Sequence, residues 1–417
     1  MPALWSTKSK NFKPEIIIEQ ILKSATLTQD GRASYGAEYF EYKSALKSML
    51  EFSRCESLSP DTLDSLIDSA LDTYTKEALT SKQKNKEKLL KILNSNIVSH
   101  FKKPTKIFHI ATSISISGHP PIKRIKIHNA EIRFYPSGLP KKYNTRQQLD
   151  ETWTKPHAHT PENFSGVIIS LEARTLADAF YSSMEHLDFL RGVLSFYANP
   201  GMSFSLWGRR KGAINKIRLG GMHTVHNTDG SLASEDYWYE HTEISDKTFV
   251  FKQENLKKTA AAIRKILRRI DSITGGERIR DGIIRYTRAL DEADSDYSII
   301  KLWGALESTV NESDNSDIII RRCSYLYKDH ELIRQILEIS KVYRNRNVHA
   351  GISSAAADQI AYQIHRIFRA LIFFYVGNKD FRSLREANTF LDSPILDGDI
   401  NRKIYLLKKA VRFRNGD

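Results

Sequence analysis

Cysteines and long apolar runs are scarce in this chain, and each scarcity excludes a class of protein. Cys55 and Cys323 are the only cysteines among 417 residues, too few for a disulfide framework or for a zinc site built on cysteine. No apolar run reaches the roughly 18–20 residues that span a bilayer, and the longest, 370–376, is typical of a buried helix segment. Residues 1–13 are polar and lack the apolar core of a signal peptide. We therefore expect a soluble, cytoplasmic protein without a membrane contact.

The motifs of several common enzyme classes are also missing. The chain has no G-x-x-x-x-G-K-[ST] phosphate loop, no G-x-G-x-x-G fingerprint and no G-x-S-x-G nucleophile elbow. Two histidine pairs, His157 with His159 and His223 with His226, resemble metal-ligand spacings. Such pairs arise by chance among 13 histidines, and both lie in polar, loop-like sequence without a third acidic ligand at a suitable spacing. We expect no metal and no cofactor.

Acidic residues are outnumbered by basic ones. With 63 Lys and Arg against 49 Asp and Glu, the formal net charge is +14 and the pI is about 9.5. A protein this basic is attracted to polyanions, of which nucleic acid is the commonest in a cell. Many soluble proteins are basic, so charge alone does not identify the partner.

Hydrophobic periodicity predicts an α+β fold that is mostly α. Residues 1–104 show helical spacing, and Ser59-Pro60-Asp61-Thr62 is typical of a helix start. Residues 105–250 form a predicted α+β domain, with a helix over 175–197 and strands rich in β-branched residues. Residues 251–417 have the short connections of a helical bundle. The predicted strands are 107–116, 122–135, 166–171, 203–207, 214–219 and 237–243, and the predicted C-terminal helices are 254–274, 277–293, 297–312, 317–327, 330–345, 355–377, 380–391 and 400–413.

The chemistry that this sequence favours lies in Arg344-Asn345-Arg346-Asn347-Val348-His349. A histidine can move protons, an arginine can hold phosphate charge and an asparagine can orient the histidine, which together can cleave RNA without a metal. In the preceding helix, Leu332, Ile336, Ile339, Val342 and Tyr343 are predicted to form a buried face.

The spacing within this motif constrains its geometry. Five residues along an α-helix advance about 500°, so a regular helix would place Arg344 and His349 about 140° apart. They converge only if the helix breaks near 345–347, or if a second copy supplies the missing half across a two-fold axis. An ordinary helix end is the competing interpretation, with Arg344 and Arg346 favouring the C-terminus and His349 on the surface.

Residues 343–351, Tyr-Arg-Asn-Arg-Asn-Val-His-Ala-Gly, resemble the motif of HEPN domains, in which an arginine and a histidine are four to six residues apart. Upstream, Leu302-Trp303-Gly304-Ala305-Leu306-Glu307 and Arg321-Arg322-Cys323 resemble earlier helices of the Apea-like HEPN subgroup. The resemblance covers about 295–380. It implies a helical bundle that forms a homodimer with a composite ribonuclease site, often in a toxin or abortive-infection effector of prokaryotes.

The resemblance also assigns roles to individual residues. Arg344 and His349 would be catalytic, Asn345 would support them, and Glu307 matches an acidic position found in many members. A histidine with a pKa near 6.5 can take the proton of the RNA 2′-hydroxyl, and Arg344 can offset the charge of the phosphorane. The expected products are 2′,3′-cyclic phosphate and 5′-hydroxyl ends.

Basic helix segments are candidate RNA contacts. The stretch after 251 interleaves cations with apolar residues, and it is either an RNA-phosphate face or an ordinary solvated helix face. Arg346 and the basic C-terminus around 402–414 are further candidates. Structured tRNA or rRNA fits as the substrate. The candidate RNA-binding residues of the stretch are Lys257, Lys258, Arg264, Lys265, Arg268 and Arg269.

The regions before the nuclease-like domain have no assigned chemistry. By family analogy, residues 1–250 sense a phage-derived trigger or restrain the nuclease. Two alternatives stay open at this point. One is an HEPN-like domain that binds RNA or nucleotide without cutting it, and the other is a dimerisation scaffold whose middle domain carries the function.

Overall fold

The computed structural model has an α+β fold that is mostly α, with about 59% helix, as the sequence predicts. Among the described residues, no helix has both the length and the apolar character to cross a membrane. The structure describes residues 3–29, 32–52, 58–81, 85–146, 149, 161–201, 212–240, 245–310, 315–346 and 356–415, and the backbone alone of 347–350.

The chain divides into two compact units, and each is built from segments that are distant in sequence. The predicted α+β region, 105–250, contributes residues to both units. Unit 1 contains 1–110, 169–184 and 224–236, and unit 2 contains 111–168, 185–223 and 237–417.

In the first hundred residues, the described part of the chain contains four helices and two small antiparallel strand pairs. Ser59 caps the third helix, because its Oγ accepts a hydrogen bond from the Thr62 N–H at 3.1 Å. The helices agree with the sequence, but the strand pairs were not predicted, since three-residue strands are too short to show alternation. The helices are α1 (Pro14–Ser24), α2 (Tyr39–Ser48), α3 (Pro60–Ser81) and α4 (Lys86–Lys102); β1 (Ala3–Trp5) pairs with β4 (Leu50–Phe52), and β2 (Ala25–Leu27) with β3 (Ala33–Tyr35).

A six-stranded sheet follows, with the order β10-β9-β5-β8-β7-β6. Its long strands β5 and β8 contain several β-branched residues and are mostly buried, as their composition predicts. Helix α5 (Leu176–Ala198) matches the predicted helix. The strands are β5 (Lys106–Ile114), β6 (Arg124–Ile127), β7 (Ala130–Tyr135), β8 (Ser165–Ala173), β9 (Met222–His226) and β10 (Leu232–Tyr239).

Two predictions in this region were wrong. Residues 214–219 form no strand and make only an isolated bridge between Leu219 and Ile114. The Asn215 side chain accepts hydrogen bonds from the Ser195 hydroxyl and the Ile217 N–H. The backbone of the segment bonds to separate parts of the chain, since the Asn215 N–H donates to the Leu290 carbonyl and the Ser115 N–H donates to the Arg218 carbonyl, so no continuous ladder forms. Conversely, β9 occupies sequence that we interpreted as a loop. The predicted strand 203–207 lies outside the described residues.

The described residues from 256 onward form eight α-helices, in the order that the sequence predicts. Trp303, Tyr286 and Phe368 are fully buried in their core. Helices α7 and α8 approach closely at Gly282, where a Cβ would lie only 2.0 Å from Thr309 Oγ1. The helices are α6 (Leu256–Ser272), α7 (Gly276–Leu290), α8 (Ser295–Val310), α9 (Ser316–Ser324), α10 (His330–Ala350), α11 (Ala357–Gly377), α12 (Leu384–Leu391) and α13 (Asp397–Asn415).

Candidate active site

The Arg-Asn-x-x-x-His motif lies within a single unbroken helix. Helix α10 continues to Ala350 and passes the predicted end at 345 by more than one turn. The predicted helix end at 345 was therefore wrong, and of the two routes to convergence the break near 345–347 is excluded. On a regular helix, Arg344 and His349 stay about 140° apart, which leaves a second copy as the route to convergence. The side chains of Asn347 and His349 lie outside the described residues.

Arg344 faces α8 and meets the acidic residue that the resemblance singled out. Its Nη2 lies 3.9 Å from Glu307 Oε1, and its Nη1 donates a hydrogen bond to Asn345 Oδ1 at 3.1 Å. Glu307 is held in turn by Trp303, whose Nε1–H donates to Glu307 Oε1 at 2.9 Å. The fold thus brings together three of the four predicted catalytic residues from two helices that are separate in sequence.

The guanidinium of Arg344 is not saturated by the protein. Its Nε is buried and has no hydrogen-bond partner in the described part of the chain. The Arg344 and Glu307 side chains remain 32% and 36% exposed, so solvent or a ligand can reach the pair. Leaving a buried donor unpaired costs about 1–3 kcal/mol. A buried donor of this kind can donate to an anion in another state without giving up an existing hydrogen bond.

Tyr343 positions the motif, and sequence reasoning did not assign it this role. Its hydroxyl donates to Asp296 Oδ1 at 2.6 Å, which ties α10 to the first turn of α8. Asp296 is buried, so the hydrogen bond is shielded from water. The sequence signal was an aromatic residue directly before the motif arginine.

The predicted buried face of α10 was wrong at three of its five positions, whereas Ile336 and Tyr343 are half-buried. Leu332, Ile339 and Val342 are 60%, 59% and 49% exposed, whereas Ile333 and Leu337 are buried. The helix is apolar on two sides, and the pattern alone does not show which side packs inward. The exposed residues follow the three- and four-residue spacing of a helix–helix seam, and Arg346 continues the same line on the surface.

The predicted basic stretch forms α6, and its cations fall on one side. Its buried face is apolar, including Ile263, Ile266 and Ile270. Arg269 differs from the other candidate RNA contacts, because its Nη2 donates to the carbonyls of Asn378 and Phe381 at 2.9 and 2.5 Å. The exposed candidates make no ion pair among the described residues, and they are Lys257, Lys258, Arg264, Lys265 and Arg268.

The second histidine pair lies in β9 rather than in a loop, and both side chains are buried. His223 contacts Thr112 Oγ1 through Nδ1 at 2.7 Å and Glu240 Oε1 through Nε2 at 3.1 Å. The ring nitrogens of His226 are likewise engaged, by the Thr224 hydroxyl and the Gly230 carbonyl. In the described part of the chain, no group of three or more His, Cys, Asp or Glu side chains is arranged to hold a metal ion. His157 and His159 lie outside it.

A comparison of the chain with protein-family models, with curated proteins and with solved structures found no match. The likeness to HEPN domains therefore consists of the residues quoted above. The functional argument therefore rests on the observed geometry of Glu307, Arg344 and Asn345.

Proposed function

We propose that this protein is a metal-independent endoribonuclease of the HEPN type that acts as a homodimer. The observation that supports it most is the arrangement of Arg344 between Glu307 and Asn345. The arginine is oriented by its neighbours yet keeps a donor without a partner among the described residues. A guanidinium of this kind is suited to a phosphate whose negative charge increases during reaction.

The proposed reaction uses the nucleophile that RNA itself carries. The 2′-oxygen attacks the adjacent phosphorus, the bond from phosphorus to the 5′-oxygen breaks, and a 2′,3′-cyclic phosphate remains. His349 of one copy takes the proton of the 2′-hydroxyl, and the histidine of the second copy protonates the leaving 5′-oxygen. Arg344 offsets the charge of the phosphorane, while Glu307 and Asn345 hold the guanidinium in place.

The exposed stripe on α10 supports the homodimer. Leu332, Ile339 and Val342 present apolar area on the helix that carries the motif, and such area is commonly covered by a partner. A two-fold axis beside this stripe would place the two α10 helices side by side, since an isologous interface pairs identical surfaces.

The substrate and biological role complete the proposal. The exposed cations of α6 and Arg346 would contact the phosphates of a structured tRNA or rRNA. The protein would act in the cytoplasm as a toxin or anti-phage abortive-infection effector. Residues 1–250 would sense a phage-derived trigger or restrain the nuclease.

RNA cleavage in EDTA tests this proposal. The assay is run with and without extract of phage-infected cells, which supplies the proposed trigger. In the condition in which the wild-type protein cleaves, we expect it to leave cyclic-phosphate ends, and Arg344→Ala and His349→Ala to lose activity by about 100-fold or more. Arg334→Ala is the matched control, because Arg334 is an exposed arginine of the same helix. Equal cleavage by all four proteins, or 3′-hydroxyl ends, would refute the composite site.

RNA binding without cleavage is the second candidate, and the cationic side of α6 favours it. In that case His349→Ala would leave RNA affinity and phenotype unchanged. Replacing Lys258, Arg264 and Arg268 by glutamine would abolish both, because phosphate contacts supply most of the non-specific affinity for RNA.

A further inference from the structure

A groove of about 600 Å³ opens beside the first turn of α10, between the connection from α9 and the last turns of α11. None of Glu307, Arg344 and Asn345 lines it. Leu332 in the groove and Arg344 are twelve residues apart on α10, which corresponds to about 18 Å along the helix. The groove is therefore separate from the candidate active site.

Cations dominate the polar part of the groove. Lys328, Arg366 and Arg369 line it together with one carboxylate, that of Asp329, so the formal charge is +3 − 1 = +2. Lys328 and Arg366 are exposed and make no ion pair among the described residues. This charge matches the dianion of a phosphate monoester near neutral pH.

Arg369 is held in place before any ligand arrives. Its Nε donates to the Phe196 carbonyl at 3.1 Å, and its guanidinium lies 5.0 Å from the ring centroid of Phe373. Its two Nη nitrogens make no hydrogen bond in the described part of the chain. A guanidinium fixed through Nε and a ring face presents its remaining donors at low entropic cost.

The groove also has an apolar wall and one unused polar group. Leu332, Ile333 and Phe373 supply the wall. The Tyr327 hydroxyl is buried and has no hydrogen-bond partner among the described residues. Burial raises the pKa of Tyr327, so the hydroxyl stays protonated and able to donate at neutral pH. Buried polar groups normally have partners, so this hydroxyl can donate to a ligand without giving up an existing hydrogen bond.

We propose that this groove binds a phosphate monoester that carries a flat ring, such as a 5′-mononucleotide or the 5′-phosphorylated end of an RNA strand. Lys328, Arg366 and Arg369 bind the phosphate, the ring packs on Phe373 and Leu332, and the Tyr327 hydroxyl donates to a polar atom of the ligand. A phosphate alone would leave the apolar wall unused, and an apolar ring alone would leave the cations unpaired. The groove volume falls within the roughly 300–1,000 Å³ of small-molecule sites.

Equilibrium binding to the full chain tests the site, with 5′-AMP, phenyl phosphate, adenosine and inorganic phosphate as probes. We expect the two ring-bearing phosphates to bind at least about tenfold more tightly than adenosine or phosphate alone. Arg366→Gln should weaken their binding about tenfold, and Arg385→Gln, a change of an exposed arginine on α12, should not. Equal affinity of wild type and Arg366→Gln, or no binding of AMP and phenyl phosphate at millimolar concentration, overturns the proposal.

Tyr327→Phe separates binding from folding. Because the hydroxyl has no partner among the described residues, its removal should leave the melting temperature unchanged or raise it, while AMP affinity falls about fivefold. A variant with unchanged AMP affinity contradicts the role of the hydroxyl.

Competition of AMP by an RNA oligonucleotide with a 5′-phosphate, but not by one with a 5′-hydroxyl, assigns the groove to RNA ends. Absence of competition assigns it to free nucleotides. Neither result bears on Arg344, so this proposal and the ribonuclease proposal fail independently.

Discussion

At the residue scale, the donors of Arg344 are divided among different partners. Nη2 faces Glu307, Nη1 donates to Asn345, and Nε has no partner among the described residues. Glu307 is itself restrained by Trp303 one turn earlier on α8. The charge and the position of Glu307 can therefore be changed separately.

Glu307→Gln should lower ribonuclease activity about tenfold without lowering the melting temperature. A glutamine oxygen still accepts the Trp303 N–H, but it no longer attracts the Arg344 guanidinium. Glu307→Ala should in addition destabilise the fold by about 1 kcal/mol, because the Trp303 N–H loses its acceptor. Cleavage rates and thermal unfolding of both variants check this, and equal melting temperatures for Ala and Gln would contradict the assigned hydrogen bond.

Also at the residue scale, the buried residue His365 makes the stability of the fold depend on pH. His365 is buried, contacts the Tyr286 hydroxyl through Nδ1 and donates from Nε2 to the Asn199 carbonyl, and burial lowers its pKa to about 4. Because the folded pKa lies below the unfolded value of about 6.5, the stabilisation is complete above pH 6.5 and is lost as pH falls toward 4. The shift corresponds to about 3 kcal/mol.

His365→Gln should therefore flatten the dependence of the melting temperature on pH between about 6.5 and 4. The variant will be less stable than wild type at neutral pH, so the slope is the relevant measurement. The exposed residue His119 provides the control substitution. Identical slopes for wild type and His365→Gln would show that another group governs this range.

At the element scale, glycines on two packed helices have opposite environments. A Cβ at Gly282 on α7 would meet Thr309 Oγ1 at 2.0 Å, whereas a Cβ at Gly304 on α8 would meet nothing within 4 Å. The first glycine permits a close helix contact. The second only weakens its helix, since glycine is less favourable than alanine in a helix interior.

Gly282→Ala should destabilise the protein by about 1–3 kcal/mol, because either the Thr309 hydroxyl gives up its hydrogen bond to the Ala305 carbonyl or α7 and α8 move apart. Gly304→Ala should stabilise it by up to about 1 kcal/mol through helix propensity. Chemical denaturation of the two variants checks the pair. A loss of stability in Gly304→Ala would mean that this face of α8 is covered in solution.

At the scale of the whole molecule, the exposed seam of α10 and the basic net charge of +14 favour association with a second copy and with a polyanion. Neither feature stabilises the isolated fold. Large exposed apolar residues add no burial energy until a partner covers them.

Ile339→Glu should convert a homodimer into a monomer and remove ribonuclease activity, with little change in monomer stability because Ile339 is 59% exposed. Val98→Glu is the matched control, since Val98 is 45% exposed on α4, outside the motif helix. Light scattering coupled to size exclusion reports the mass of each variant. A wild-type monomer that cleaves RNA would contradict the composite site.

Local sequence patterns predicted most of the helices and strands, but they did not predict which strands pair with each other. Helical spacing and turn residues predicted the eight C-terminal helices, because such signals lie within a few residues of each other. The strand β9 was missed and 214–219 was misassigned, since strands depend on partners far away in sequence. The two units, each assembled from separate segments, escaped prediction for the same reason.

The candidate site shows the same difference between what the sequence predicts and what only the tertiary structure reveals. From sequence alone, the motif identified Arg344, Asn345 and His349 as a possible chemistry and Glu307 as an acidic companion. Only tertiary structure decided that Glu307, held by Trp303, meets Arg344, that α10 continues without a break, and that Leu332, Ile339 and Val342 face outward. The physical reason is that an amphipathic pattern specifies which residues share a face of a helix, whereas packing against neighbouring helices decides which face is buried.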